Sequence, residues 1–166
     1  MTSELDPPLL DEARADFITH HVSILAGSSS AERIPSVARA YGCRVAPDRR
    51  SITLFLSLTQ SATVLRDLRA GGAVAAVFSR PTTHETLQLK GAGAQIAPLA
   101  DGDRALMRAY GRSFRDDIGA IGFKDPFGVN IMSGTEDDAV AVTFTPTAAF
   151  VQTPGPSAGE PLRPQP

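Results

Sequence analysis

Four hydroxyl-bearing residues occupy every second position where a predicted strand gives way to a predicted helix: Ser57, Thr59, Ser61 and Thr63. A helix N-terminus carries free backbone N–H groups and the positive end of the helix dipole, and both attract anions. Hydroxyl groups placed there could complete a phosphate-binding cradle. They could equally form an ordinary helix cap, because Ser and Thr are preferred at that position. The sequence leaves both interpretations open.

Three more polar residues could contribute to a binding site. Arg39 lies in the middle of a predicted strand, where a guanidinium needs an anionic partner if it faces inward and none if it faces solvent. Gln88 and Lys90 alternate with Leu87 and Leu89, so they share the polar face of their strand. That face is predicted to line either a cofactor groove or the solvent.

The residue types for metal or nucleophilic chemistry are sparse. A single cysteine, Cys43, excludes a disulfide within the chain and a multi-cysteine zinc site. Cys43 is predicted to be a small buried hydrophobic residue of a strand. We expect no metal site, and no residue stands out as a catalytic group.

Composition narrows the class of protein. The chain has 166 residues and a net charge of -2, which indicate a single domain without a basic field for nucleic acid. It lacks an apolar run of about 18 residues, so no membrane span is predicted. The acidic N-terminal segment has no apolar core and does not resemble a signal peptide. We therefore expect a cytoplasmic protein.

Periodicity predicts the elements that must position these residues. Helices are predicted over 8–21, 60–72 and 101–117, and strands over 22–29, 34–46, 51–58, 73–79, 86–96, 129–132, 139–144 and 148–153. Strands and helices do not alternate regularly, which favours an antiparallel barrel or sandwich with added helices. We expect one domain over residues 1–153. The tail over 154–166 holds five prolines and is predicted to be disordered.

Three phrases of the sequence resemble one known family. Residues 60–78 read as a helix, a tight turn at Gly71-Gly72 and an apolar strand; residues 87–91 read Leu-Gln-Leu-Lys-Gly, and residues 144–147 read Phe-Thr-Pro-Thr. This order is similar to that of the pyridoxamine 5'-phosphate oxidase-like family of FMN-binding split barrels. The resemblance covers roughly residues 8–153.

The resemblance implies a fold, a cofactor and an assembly. The fold would be mainly β, an antiparallel split β-barrel with added helices. Members are homodimers that bind FMN between the subunits. One subunit would supply the phosphate cradle, and the second subunit would supply residues from its 119–134 loop. The site would comprise Arg39, Ser57, Thr59, Ser61, Thr63, Gln88 and Lys90. The implied activity is an FMN-dependent oxidoreductase with a small-molecule substrate, and a deazaflavin would serve equally.

Two departures from the family favour a second hypothesis. The family's phosphate-binding Lys would fall within residues 62–64, which read Ala-Thr-Val, and its strand arginine would fall on Gln88. Another arginine could replace the lost charge: Arg33, Arg39 or Arg80. Otherwise the chain would be a non-catalytic binding or stress-response module that has lost flavin.

Overall fold

The structure, a computed structural model, describes residues 7–127, 130 and 136–163. The elements within these ranges are α1 Glu12–Thr19, β1 Ser23–Ser29, β2 Pro35–Val45, β3 Ile52–Ser57, α2 Ala62–Arg69, β4 Val74–Ser79, β5 Thr86–Pro98, α3 Asp103–Ala120 and β6 Ala139–Val151. The predicted strand over 129–132 lies outside the described residues.

The six strands close into an antiparallel barrel. Their order around the barrel is β1-β2-β3-β6-β5-β4, and every neighbouring pair runs antiparallel. Closure leaves no unpaired strand edge, which is how a small all-antiparallel sheet avoids edge-to-edge association. The predicted fold class, a mainly β barrel with added helices, is confirmed.

Alternating residues of the strands fill the barrel. Val74, Ala76 and Phe78 of β4 are at most 1% exposed, and the residues between them are half-buried. Leu87 and Leu89 of β5 face the same core. This follows from the period of two along a strand, which sends successive side chains to opposite faces. The intervening positions therefore form the outer face of the barrel.

Two helices cover the barrel beside the candidate site. The apolar residues of α2 (Val64, Leu65 and Leu68) belong to the main core. The helix α3 packs on β2 and buries residues at intervals of three and four: Met107, Tyr110, Phe114 and Ile118. This spacing produces one apolar face. The arginines of α3 lie beside this apolar face.

A bulge in β2 aims a tyrosine away from the barrel interior. The register with β3 shifts between Ala40 and Cys43, and Gly42 lies there with a φ of 125°. A Cβ at Gly42 would lie 3.2 Å from a ring carbon of Phe55. The positive φ favours glycine here, and the tight approach of Phe55 adds to that preference. The bulge places Tyr41 in a small outer cluster with Phe55 and Met107.

Several boundaries differ from those predicted. The first helix begins at Glu12, because Asp11 caps it by accepting a hydrogen bond of 2.8 Å from Arg14 N. Gly102 occupies the cap position of α3. The last strand is continuous through Pro146, which lies opposite the register shift at Gly91. A proline is tolerated at such an irregularity because the regular ladder is already interrupted.

Residues 154–163, part of the tail predicted to be disordered, make contacts with the last strand. This segment folds back on β6: Leu162 N donates to Ala149 O at 2.8 Å, and Val151 N donates to Glu160 O at 2.9 Å. Leu162 also packs against the main core. One apolar residue and a few backbone hydrogen bonds hold a segment whose composition suggests disorder. Residues 164–166 lie outside the described part of the chain.

No helix among the described residues has both the length and the apolar character needed to span a bilayer.

Candidate functional site

Two of the predicted hydroxyls already hold a carboxylate of the same chain. Ser57 Oγ donates to Asp138 Oδ2 at 2.5 Å, and Thr59 donates to the same oxygen through Oγ1 at 2.6 Å and through N at 3.1 Å. The pairing of Ser57 with Ala139 in the β3–β6 ladder brings Asp138 to this position. These hydrogen bonds hold the pKa of Asp138 below its ordinary value. We call Ser57, Thr59 and Asp138 the hydroxyl–aspartate cluster.

The other two predicted hydroxyls lie at the start of α2. Ser61 occupies the N-cap position and is 1% exposed, but its Oγ has no hydrogen-bond partner in the described structure. Its backbone N donates to Ser57 O at 3.0 Å, which ties the helix start to the end of β3. Thr63 is exposed in the first turn of α2. A role for either hydroxyl in phosphate binding stays a prediction.

Arg39 lies on the outer face of β2, between β1 and α3. Its Nη1 donates to Ser23 Oγ at 3.0 Å, and its guanidinium carbon lies 5.7 Å from the centroid of the Phe114 ring. Ala40 is paired with Leu56 in this antiparallel pair. Arg39, just before Ala40, therefore lies next to Ser57, just after Leu56. No carboxylate among the described residues pairs with Arg39.

The other arginines considered as substitutes are directed elsewhere. The Arg80 guanidinium lies 5.1 Å from the ring centroid of Phe17 on α1. Arg33 is exposed at the turn between β1 and β2, with a φ of 63°. Neither arginine forms a hydrogen bond or an ion pair with the hydroxyl–aspartate cluster.

Gln88 and Lys90 lie on the outer face of β5, far from Ser57 in the same chain. Lys90 Nζ is 5.0 Å from the centroid of the Phe150 ring, and Gln88 Oε1 accepts a hydrogen bond of 3.3 Å from Gln152. Lys90 pairs with Ala148 of β6, nine residues along the strand from Ala139, the partner of Ser57. Nine strand residues span about 30 Å. One chain therefore does not bring the predicted set together.

A second group of polar residues, missed in the sequence, lies near the hydroxyl–aspartate cluster. It lines a cavity of about 280 Å³ whose walls are Tyr41, Met107, Arg108, Gly111, Arg112, Arg115 and Glu136. We call this cavity the arginine pocket. Arg108 donates to Glu136 at 2.6 Å. In the sequence, the spacing of these arginines is that of an ordinary polar helix face.

Two hydrogen bonds connect the arginine pocket to the hydroxyl–aspartate cluster. The Tyr41 hydroxyl, at the edge of the pocket, donates to Gln60 Oε1, and Gln60 N donates to Ser57 Oγ at 3.1 Å. Burial raises the pKa of Tyr41, and the positive charge of Arg39 opposes that shift. Tyr41 is therefore a neutral hydrogen-bond donor at physiological pH. Tyr41 and Gln60 therefore link the arginine pocket to the hydroxyl–aspartate cluster.

Metal and thiol chemistry receive no support from the described residues. Among them, no group of three or more His, Cys, Asp or Glu side chains is placed to hold a metal ion. Cys43 is buried, and burial raises its pKa to about 12. A nucleophilic thiol must ionise near neutral pH. Cys43 is therefore a core residue.

Comparison with solved structures assigns the fold. A pyridoxamine 5'-phosphate oxidase candidate from Lactobacillus delbrueckii matches over 86% of this chain and 93% of its own, with 14% identity and a TM-score of 0.53. An F420 reductase matches over 84% and 98%, with 16% identity and a TM-score of 0.53. This chain has the pyridoxamine 5'-phosphate oxidase-like split-barrel fold.

Other comparisons leave the assignment at the level of fold. HupZ of Group A Streptococcus is a further split-barrel match, over 90% of this chain and 99% of its own, with 12% identity and a TM-score of 0.54. No protein-family model matches the sequence, and no curated protein is significantly similar to it. Sequence identities this low support the shared backbone fold. The ligand has to be inferred from the side chains of this chain.

The hydroxyl–aspartate cluster has some of the features of an anion-binding site. Two hydroxyls and one backbone N–H converge on a single oxygen position, and that donor set suits a phosphate as well as a carboxylate. Asp138 now occupies the position, and no lysine or arginine among residues 57–65 supplies positive charge. A phosphate at this point must displace Asp138.

Proposed function

We propose that this split barrel binds FMN through its phosphate and serves as an oxidoreductase for a small-molecule substrate. The observation that carries the proposal is the convergence of Ser57 Oγ, Thr59 Oγ1 and Thr59 N on one oxyanion position beside the start of α2. The unpaired N–H groups of the first helical turn add to the attraction for an anion there. Similarity to solved structures described as a pyridoxamine 5'-phosphate oxidase candidate and an F420 reductase supports the choice of cofactor class.

In this proposal the chain supplies binding and orientation. FMN, when bound, supplies two-electron redox chemistry, which none of the described side chains supplies. Ser57 and Thr59 would donate to phosphate oxygens in place of Asp138, and Gln60 would hold Tyr41 beside them. A deazaflavin with a phosphate group would use the same donors. The proposal retains the cytoplasmic location expected from the sequence.

A homodimer is part of the proposal. Gln88 and Lys90 are separated from Ser57 by about 30 Å of strand, so they could join its site only from a second subunit. The hairpin of β1 and β2 also exposes apolar residues: Leu25 at 41%, Ile34 at 65% and Val37 at 69%. Large exposed aliphatic side chains that lie together favour a protein interface.

One observation favours a second function. Asp138 satisfies the donors of Ser57 and Thr59 without any ligand, so the cluster is complete as a structural element. On this reading the chain is a non-catalytic binding or stress-response module that has no flavin. The two functions differ in whether FMN displaces Asp138.

Titration with FMN and with riboflavin tests the proposal, with flavin fluorescence and thermal stability followed together. Binding stabilises the native state by mass action, so FMN should raise the Tm of the wild type and riboflavin should do so less. Thr59→Ala should weaken FMN binding about tenfold, the value of one charge-assisted hydrogen bond. Asp138→Asn should strengthen binding about as much, because it removes the competing charge.

A matched control makes this result specific. Thr145→Ala removes an exposed hydroxyl of β6 that forms no hydrogen bond with a described residue, and it should leave FMN binding unchanged. Equal affinity for FMN and riboflavin, unaltered by Thr59→Ala and Asp138→Asn, would exclude phosphate recognition at the cluster. Absence of flavin binding in both the wild type and Asp138→Asn would favour the non-catalytic module.

A further inference from the structure

The arginines of α3 share one face and one cavity. Arg108, Arg112 and Arg115 follow each other at intervals of four and three, which places them on the same side of the helix. All three line the arginine pocket, together with Tyr41 and the buried Gly111. Arginines that serve only as a solvated helix face need not converge on a cavity. This convergence distinguishes the pocket from ordinary surface charge.

The charges around the pocket do not cancel within the described chain. Arg108 pairs with Glu136 at 2.6 Å, whereas Arg112 and Arg115 make neither an ion pair nor a hydrogen bond with any described residue. Three positive charges and one negative charge line the pocket, which leaves a local charge of +2. The whole chain carries a net charge of -2, so the pocket is not part of a generally basic surface.

We propose that the arginine pocket is a binding site for a phosphate monoester. Such a group is close to a dianion at neutral pH and matches the local charge, and the planar fork of arginine binds phosphate oxygens in pairs. The cavity volume of about 280 Å³ is at the small end for ligand pockets, which fits a phosphate head with the rest of the ligand extending outward. The neutral Tyr41 hydroxyl lies at its wall. This inference goes beyond the proposed function, because the site requires no flavin.

Calorimetric titration with phenyl phosphate and inorganic phosphate, in a low-salt amine buffer, tests the proposal. Phenol is the uncharged control ligand. Arg112→Gln and Arg115→Gln should each weaken phenyl phosphate binding about tenfold, because each removes a charge-assisted contact. Glu136→Gln should strengthen binding, because it removes a negative charge and releases Arg108. These exposed or half-exposed positions tolerate substitution, and the Tm of each variant without ligand checks its folding.

Arg104→Gln is the matched control. Arg104 is exposed on the same helix and does not line the pocket, so its loss changes the net charge equally. The proposal is overturned if phenyl phosphate does not bind the wild type, or if Arg104→Gln weakens binding as much as Arg112→Gln and Arg115→Gln do. The second outcome would indicate general attraction by the helix.

The same variants separate this proposal from FMN binding. Phenyl phosphate binding that depends on Arg112 and Arg115 supports the arginine pocket even when FMN does not bind. FMN binding that depends on Thr59, with phenyl phosphate binding unaffected by the arginine substitutions, supports the proposed function and overturns the phosphate site. Loss of both ligands in Arg112→Gln and Arg115→Gln supports the arginine pocket as the place where the FMN phosphate is held.

Discussion

Ser57 and Asp138 are 81 residues apart in sequence, and the hydroxyl of the first donates to the carboxylate of the second at 2.5 Å. A distance this short is typical of a hydroxyl bonded to a charged carboxylate. The contact fastens the end of β3 to the residue that precedes β6. It also places a negative charge where the sequence suggested a phosphate.

Asp138→Asn should reduce the pH dependence of stability. The folded-state pKa of Asp138 lies below its ordinary value, so ionised Asp138 stabilises the fold above the unfolded pKa, near 4. That contribution disappears as the pH falls through the lower, folded-state pKa. The Tm difference between wild type and Asp138→Asn should therefore be full above about pH 5 and shrink below pH 4.

Asp137→Asn is the control for this measurement, because Asp137 is the exposed neighbour and its carboxylate bonds to no described residue. It should follow the wild type across the whole pH range. A Tm difference for Asp138→Asn that stays constant from pH 7 to about pH 3 would contradict the role of the ionised carboxylate.

Gly42→Ala should destabilise the protein more than Gly93→Ala. Both glycines have positive φ, 125° and 67°, but an added Cβ meets Phe55 and Tyr110 only at Gly42. Gly93→Ala should cost about 1–2 kcal/mol of unfolding free energy from backbone strain. Gly42→Ala should cost roughly 1–3 kcal/mol more, because a φ of 125° strains an L-residue further and the added Cβ crowds Phe55. Urea unfolding measures both, and equal losses would refute the steric contribution.

Leu162→Ala should lower stability although the residue lies in a proline-rich tail. Leu162 packs on the main core, so we expect a loss of roughly 1–2 kcal/mol, less than for a fully buried leucine. Arg163→Ala, at the exposed neighbouring position, should change the free energy of unfolding by less than about 0.5 kcal/mol. Chemical denaturation compares the two, and equal values would indicate that the tail does not contribute to the fold.

Val37→Glu should convert the proposed homodimer into a monomer. Val37 is 69% exposed in the single chain, so a charge there is harmless to the monomer fold and costly within an apolar interface. Sedimentation velocity measures the change in mass. Leu106→Glu, at a 40% exposed position on α3, is the control and should remain a dimer. A wild type that sediments as a monomer would exclude this part of the proposal.

The local elements could be predicted because they depend on local patterns. The alternation of Leu87, Gln88, Leu89 and Lys90 in β5 and the three-and-four spacing in α3 are visible in short windows, and both elements formed as expected. The contact of Ser57 with Asp138 depends on the β3–β6 register, which no short window contains. The acidic run at residues 136–138, just before the last strand, was the available signal.

The arginine pocket was missed for a similar reason. The i, i+4, i+7 spacing of its arginines was visible in the sequence, but the same spacing is typical of any solvated helix face. The cavity depends on the bulge at Gly42, which turns Tyr41 outward beneath α3. A bulge is set by the pairing of two strands, and a single segment does not reveal it.

Because Asp138 is attached to the chain, it competes for its donors at a fixed effective concentration, in the millimolar range for a short tether. Dilution cannot remove this competitor. A free anion that offers only the same contacts must reach a comparable concentration before it occupies Ser57 and Thr59. A ligand that gains further contacts elsewhere on the protein succeeds at far lower concentration. The tether therefore acts as an affinity threshold, which favours molecules that bind at two points over anions that make only these contacts.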